Sequence, residues 1–252
     1  MLVHAAKSVA LVAIGLIVFA STGAAEEVSV PDKNLEKVIR EILSKKQIKD
    51  EKITDEHLSN IYILHANGRE IKDITGLEHC WNLAEVRLAN NQISDVTPLQ
   101  KCENIQSLDM AGNQIEDIAP LADLKKLQYL NLEKNRIKNI VAVRELTALS
   151  ALYLDDNEIL CLEPVSDLPK LASLHVSRNK IRDVQPLANV RWLSNLGLAD
   201  NKIRDLSPLK SLSELRLTFL QNNQIKNDKP LLEMAKNDFE GEKRFAPFWR
   251  LY

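Results

Sequence analysis

Asparagine returns every 22 residues along most of this chain: Asn91, Asn113, Asn135, Asn157, Asn179, Asn201 and Asn223. Two positions after each stands an isoleucine, running Ile93, Ile115, Ile137, Ile159, Ile181, Ile203 and Ile225. Ahead of them lie alternating apolar pairs: Val86/Leu88, Leu108/Met110, Leu130/Leu132, Leu152/Leu154, Leu174/Val176 and Leu196/Leu198. Prolines form a further column at Pro98, Pro120, Pro164, Pro186, Pro208 and Pro230. A weaker unit, Ile61 to Cys80, carries Arg69 where asparagine would fall but keeps Ile71, Ile74 and Leu77. About eight units stay in register over residues 61–235. A period of this length marks stacked supersecondary units, none of which can bury its apolar face alone.

Alternation at Leu130 and Leu132 marks a short strand with one face inward. The 22-residue return lays each strand beside its equivalent, ~4.8 Å away, in a parallel sheet along one wall. The column leucines then fill one continuous core. The asparagines answer a different need. After each strand the chain turns sharply while buried, stranding backbone N–H and C=O groups, and a primary amide can satisfy both kinds. The pattern therefore predicts a structural ladder of Asn91, Asn113, Asn135, Asn157, Asn179, Asn201 and Asn223, with no catalytic part.

The pattern L-x-x-L-x-L-x-x-N-x-I-x-D-I-x-P-L resembles a leucine-rich repeat, specifically the 22-residue form of bacterial internalin-like proteins. Leu127 to Ile137 (LQYLNLEKNRI) matches it closely, and the flanks are similar too. Val30 to Leu43 looks like the helical cap that precedes internalin repeats, and Ile53 to Leu58 and Ile74 to Glu78 look like that family's entry into its first turns. The similarity spans roughly residues 28–235, and no immunoglobulin-like domain or sorting motif follows in this sequence. The implied fold is an α/β leucine-rich repeat solenoid, right-handed, with one short parallel strand per repeat on the concave face. Its convex side is irregular or 3-10 helical and its N-terminal cap helical. Residues 26–60 would be the cap, 61–235 the solenoid and 236–252 a C-terminal cap or tail.

In the cap, Leu35, Val38, Ile39, Ile42 and Leu43 fall on one helical face, with Asp32 able to cap that helix and Thr54 or Asp55 a second one. At the other end Phe239, Phe245, Phe248, Trp249 and Tyr252 make an aromatic tail, read either as a lid over the last repeat or as a docking peptide. Residues 1–25 read as a signal peptide. His4 and Lys7 open it, Val9 to Ala20 is its apolar run, and small residues follow as far as Ala25. Cleavage near Ala25 would release a mature chain beginning at Glu26, without a transmembrane span. The alternative is an uncleaved anchor, for which the run is short against the ~20 apolar residues a span needs.

Little in the sequence carries bond-making chemistry. It has no phosphate-binding glycine loop, no zinc-type Cys/His spacing and no serine-nucleophile motif. His4, His57, His65, His79 and His175 are scattered, and His57 and His79 read as solvated polar residues. Neither a catalytic group nor a metal or cofactor is expected, and the chain is read as a non-enzyme. With 33 basic against 35 acidic residues the net charge is −2, which gives no electrostatic case for nucleic acid. Cys80 and Cys102 occupy one column of successive repeats, filled elsewhere by Leu124, Leu146, Leu168, Val190 and Leu212. They are either a disulfide, which an exported setting permits, or two buried thiols. Cys161 stands where its repeat would have aspartate.

Strand parity turns three columns outward. The central one reads His65, Arg87, Asp109, Asn131, Tyr153, His175, Gly197 and Phe219. One flank reads Ile63, Glu85, Ser107, Tyr129, Ala151, Ser173, Asn195 and Leu217, and the other Asn67, Ala89, Ala111, Glu133, Asp155, Ser177, Ala199 and Gln221. Tyr129, Tyr153 and His175 fall on consecutive rungs beside Asp109, Glu133 and Asp155. Aromatics ringed by acids suit a recognition surface, although aromatic residues also favour strands for their own sake. The candidate ligand-binding residues are Arg87, Asp109, Tyr129, Asn131, Glu133, Tyr153, Asp155, His175 and Phe219. The leading expectation is an exported monomer that binds a protein or cell-surface ligand on its concave sheet, as the resemblance to internalins implies. The alternatives are an envelope-assembly scaffold held by the aromatic tail, or a regulatory subunit of an enzyme such as a phosphatase.

Overall fold

The computed structural model describes residues 25–227, 229–230 and 232–233, together with the backbone of 248–250. Residues 1–24 of the expected leader, and the tail positions Phe239, Phe245 and Tyr252, lie outside the described residues.

The chain opens with helix α1, Lys33–Lys45, whose buried face is Leu35, Val38, Ile39 and Leu43. One carboxylate both starts this helix and fastens it to the repeats. Asp32 Oδ1 accepts from the N–H groups of Asn34 and Leu35 at 2.9 and 3.1 Å. Its Oδ2 accepts from Lys72 and Asp73 at 2.8 and 3.2 Å, in the first repeat's turn. Helix α2, Asp55–Ser59, starts with a reciprocal pair: Thr54 Oγ1 accepts from His57 N–H, and His57 Nδ1 accepts from Thr54 N–H. His57 Nε2 lies 3.1 Å from Asp50. His57 is thus part of a helix start, not the freely solvated residue its sequence position suggests, because its ring accepts the N–H of the Thr54 cap while Thr54 accepts its own.

Strands β1 (Ile63–His65), β2 (Glu85–Arg87), β3 (Ser107–Asp109) and β4 (Tyr129–Asn131) follow in order. β5 (Ala151–Tyr153), β6 (Ser173–His175), β7 (Asn195–Gly197) and β8 (Leu217–Phe219) continue the same row. All pair in parallel in sequence order, each residue opposite the one 22 positions on, as in Leu130↔Leu152. The backbone of β9, Phe248–Arg250, adds a further parallel strand against β8. The middle residue of each rung points inward: Leu64, Val86, Leu108, Leu130, Leu152, Leu174 and Leu196 are all fully buried. Thr218 closes that column, buried with its hydroxyl unpartnered among the described residues.

The asparagine side chains join consecutive turns. Asn135 Oδ1 accepts from Ile115 N–H at 3.0 Å, and its amide donates to Met110 and Leu132 carbonyls at 3.1 Å each. The same pattern recurs from Asn91 to Asn223. Opposite the sheet the chain runs through 3-10 turns such as Ala119–Asp123 and Ser207–Ser211, with proline at the first or second position of most. Proline has no N–H to leave unpaired there and a backbone angle already set. The polar residue before most of these turns accepts the N–H two residues on, as Asp95, Asp117, Asn139, Asp183 and Asp205 do at 2.8–2.9 Å. At Cys161 a sulfur takes that place, 3.4 Å from Glu163 N–H.

Cys80 and Cys102 are two separate buried thiols, so the bridge the sequence leaves open is not made. Cys102 Sγ donates instead to the Leu77 carbonyl at 3.2 Å. Burial pushes the Cys102 thiol up to about 12 and that of Cys80 higher still, so both stay protonated.

Candidate ligand-binding face of the sheet

Pairing register decides which outward side chains meet. Tyr153 lies opposite His175 on the next rung, whereas Tyr129 lies opposite Ala151, whose small side chain leaves room for the Tyr129 ring to lean towards Tyr153. The ring centroids are 5.4 Å apart for Tyr129 and Tyr153 and 5.0 Å for Tyr153 and His175, tilted by 44° and 47°. Tilted rings at such distances are favourable pairs. The row then crosses a rung: His175 and Phe219 meet at 6.4 Å over Gly197. Four rings on four strands thus form one stripe, longer by Phe219 than the three consecutive rungs of the sequence pattern.

Gly197 was recognisable in the sequence only as a gap in a column. A Cβ there would sit 3.2 Å from His175 Cγ and Nδ1 and 3.1 Å from Ser177 Oγ. Gly197 is buried beneath its neighbours, as are Ala89, Ser177 and Ala199. These four belong to columns that parity alone turns outward.

The acids have unequal roles. Asp155 is largely covered: its Oδ1 accepts from Ser177 N–H at 2.6 Å, and its Oδ2 lies 3.7 Å from Arg178. Arg178 Nε also donates to Asp156 at 2.6 Å, so this cation, absent from the sequence-derived candidates, answers much of the acidic border. Asp109 and Asn131 each accept the N–H two residues on, from Ala111 and Glu133, which fixes them against their own turns. Burial, and then the charge of Asp155, hold the Glu133 carboxyl above its ordinary range. Burial likewise raises Asp155, against the pull of Ser177 N–H, His175 and Arg178. Burial raises the Tyr129 hydroxyl, helped by Asp109, and lowers the His175 imidazole, opposed by Asp155. At neutral pH the stripe is therefore an uncharged aromatic surface with carboxylates at one side. Arg87 stands apart, paired with Glu85 at 2.8 Å on β2, and His65 shares that carboxylate at 2.9 Å. Among the described residues no three His, Cys, Asp or Glu side chains cluster to hold a metal ion, and no helix is long and apolar enough to cross a membrane.

A family model described as leucine-rich repeats (2 copies) matches residues 81–123 and 103–147. The internalin InlC2 of Listeria monocytogenes is 33% identical over 81% of this chain and 90% of its own, with a TM-score of 0.76. The chain belongs to the bacterial internalin-like leucine-rich repeat family. A second internalin of the same organism, InlF, is 34% identical over 82% of the chain with a TM-score of 0.77, and the chain spans only 61% of its length. A leucine-rich repeat protein of Leptospira interrogans shares the fold at 24% identity and a TM-score of 0.62, over 71% of this chain and 47% of that one. No curated protein matches by sequence. Tyr129, Tyr153, His175 and Phe219 stand on the parallel sheet of this leucine-rich repeat wall.

Proposed function

We propose that this protein is an exported, non-enzymatic recognition module that captures a protein or cell-surface ligand on its concave sheet, centred on Tyr129, Tyr153, His175 and Phe219. The four-ring stripe carries this reading. Aligned rings offer large, stiff apolar area at little cost in rotamer entropy, and their polar edges supply directional contacts. Glu133 and Asp109 favour a partner that brings Lys or Arg to the border, so binding should weaken as salt rises. Membership of the internalin-like family supports protein binding, and the apolar run Val9 to Ala20 supports export with cleavage near Ala25. The module acts as a monomer, with no resident cofactor.

Cross-linking capture from the surfaces the protein meets, repeated with Tyr153→Ala, is the test. Tyr153 lies in the middle of the stripe, and a central aromatic contributes ~2 kcal/mol or more at such interfaces. Loss of capture with an unchanged unfolding midpoint is expected. Undiminished capture by a Tyr129→Ala/Tyr153→Ala double variant would move the site elsewhere.

A further inference from the structure

The near-neutral total charge hides a local excess. Between residues 178 and 226 there are nine basic residues against four acidic ones. Much of that excess collects on one flank of the solenoid, just past the asparagine ladder. Arg182, Lys202 and Arg204, with Gln224, line a cleft of about 390 Å³. Towards the N-terminus the same flank is neutralised: Lys180 lies 2.7 Å and Lys138 4.0 Å from Glu158, and Arg136 lies 4.0 Å from Glu116. Beyond Glu158 the acids run out. The side chains of Arg182 and Lys202 have no ion pair or hydrogen bond among the described residues. Arg204 donates through Nε to Gln224 Oε1 at 3.1 Å, which steadies its guanidinium without neutralising it. The next residues along, Asp183 and Asp205, are not among the cleft's lining and accept from Gln185 and Ser207 N–H in their own turns at 2.8 and 2.9 Å.

Three uncompensated cations around one cleft are an anion site in waiting. Arginine matches the oxygens of a phosphate in pairs and lysine adds a point charge. The cations also repeat with the rungs, from Arg182 to Arg204 and on to the exposed Lys226. A ladder of this kind suits a chain of charges better than a single ion. We propose that this flank binds a linear polymer bearing phosphate groups, with Arg182, Lys202 and Arg204 as its main contacts. The four residues of the cleft include no aromatic side chain on which bases could stack, which favours a polymer without nucleobases over nucleic acid. The site is separate from the ring stripe and does not depend on the function proposed for it.

The probe is long-chain inorganic polyphosphate, titrated against the purified protein at several salt concentrations. Arg182→Glu/Arg204→Glu should weaken binding by about tenfold or more and lower the slope of log affinity against log salt by about two. Lys202→Gln should give a smaller loss, and Lys101→Glu, exposed elsewhere in the chain, should change affinity less than about twofold. Unaltered binding in the double variant, or an equal loss in Lys101→Glu, would overturn the site. Inorganic phosphate binding as tightly as the polymer would overturn the polymer assignment. Tighter binding of a single-stranded oligonucleotide of equal charge would replace it with nucleic acid.

Discussion

The rings of His175 and Phe219 touch across a rung that carries no side chain, because the residue between them is Gly197. The stripe is continuous only through that omission. Gly197→Ala places a Cβ 3.2 Å from the imidazole, close enough that the ring must give by a few tenths of an ångström. Overpacking costs ~1–3 kcal/mol, while replacing glycine in a strand returns ~0.5–1 kcal/mol of backbone entropy. A net loss of about 1 kcal/mol is expected, with the His175 ring displaced from Phe219. Ring-current shifts of the His175 and Phe219 protons would report the separation, and unchanged shifts would refute it.

Asn135→Ala tests the ladder. It removes the acceptor of Ile115 N–H and the donors to Met110 and Leu132 carbonyls in one step, all of them buried. Each orphaned group costs ~1–3 kcal/mol, so the variant should lose at least that much in urea unfolding. An unmoved midpoint would show that water or a shifted turn replaces the amide.

The repeat, the inward columns and the asparagine ladder were legible because each is a strict period, and a period survives whatever the intervening residues are. Lateral contacts between rungs were less so. Tyr129, Tyr153 and His175 could be placed together by parity, but the reach of the stripe to Phe219 depends on Gly197 and on ring tilt. Arg178 was missed because its chemistry lies across rungs, with Asp155 and Asp156 each about one repeat earlier. The cation cleft was missed for a related reason. A whole-chain charge averages over flanks that the fold keeps apart, and only the stacking of Arg182 beside Arg204 concentrates them. The exchange of aspartate for Cys161 was visible, whereas the N–H that column accepts was not.

Thr218 should be a correctable flaw. It is 1% exposed, at a column position otherwise filled by leucine or valine, and its hydroxyl is unpartnered among the described residues. Valine has nearly the same shape without the polar atom. Thr218→Val should therefore raise stability by about 1 kcal/mol, read as a higher midpoint in thermal unfolding. A lower midpoint would mean that the hydroxyl has found a partner in solution.

The three cysteines should separate cleanly by reactivity. Cys161 is exposed, while Cys80 and Cys102 are buried and held protonated by that burial. A thiol reagent should modify one site within the native protein and the other two only as the solenoid unfolds. Fast modification of all three would contradict the buried column.

Protonation of His175 should expose the electrostatics of the stripe. Burial lowers its folded-state pKa below 6.5, and the Asp155 charge limits the shift. The unfolded chain then takes up the proton first, so this group's contribution to stability is complete above about pH 6.5 and is lost as pH falls through its folded value. Asp155 and Glu133 act in the opposite sense. Their folded values are raised above 3.8 and 4.5, so they favour the folded state at low pH and that benefit fades as pH rises through those raised values. The separation can be made by NMR titration of the His175 ring proton. A midpoint below 6.5 is expected in the native protein, and a lower one again in Asp155→Asn, which keeps an acceptor for Ser177 N–H but removes the charge that favours imidazolium. A midpoint that rises in Asp155→Asn would mean that the carboxylate acts on His175 through packing rather than charge, adding to the burial that keeps the imidazole neutral instead of opposing it.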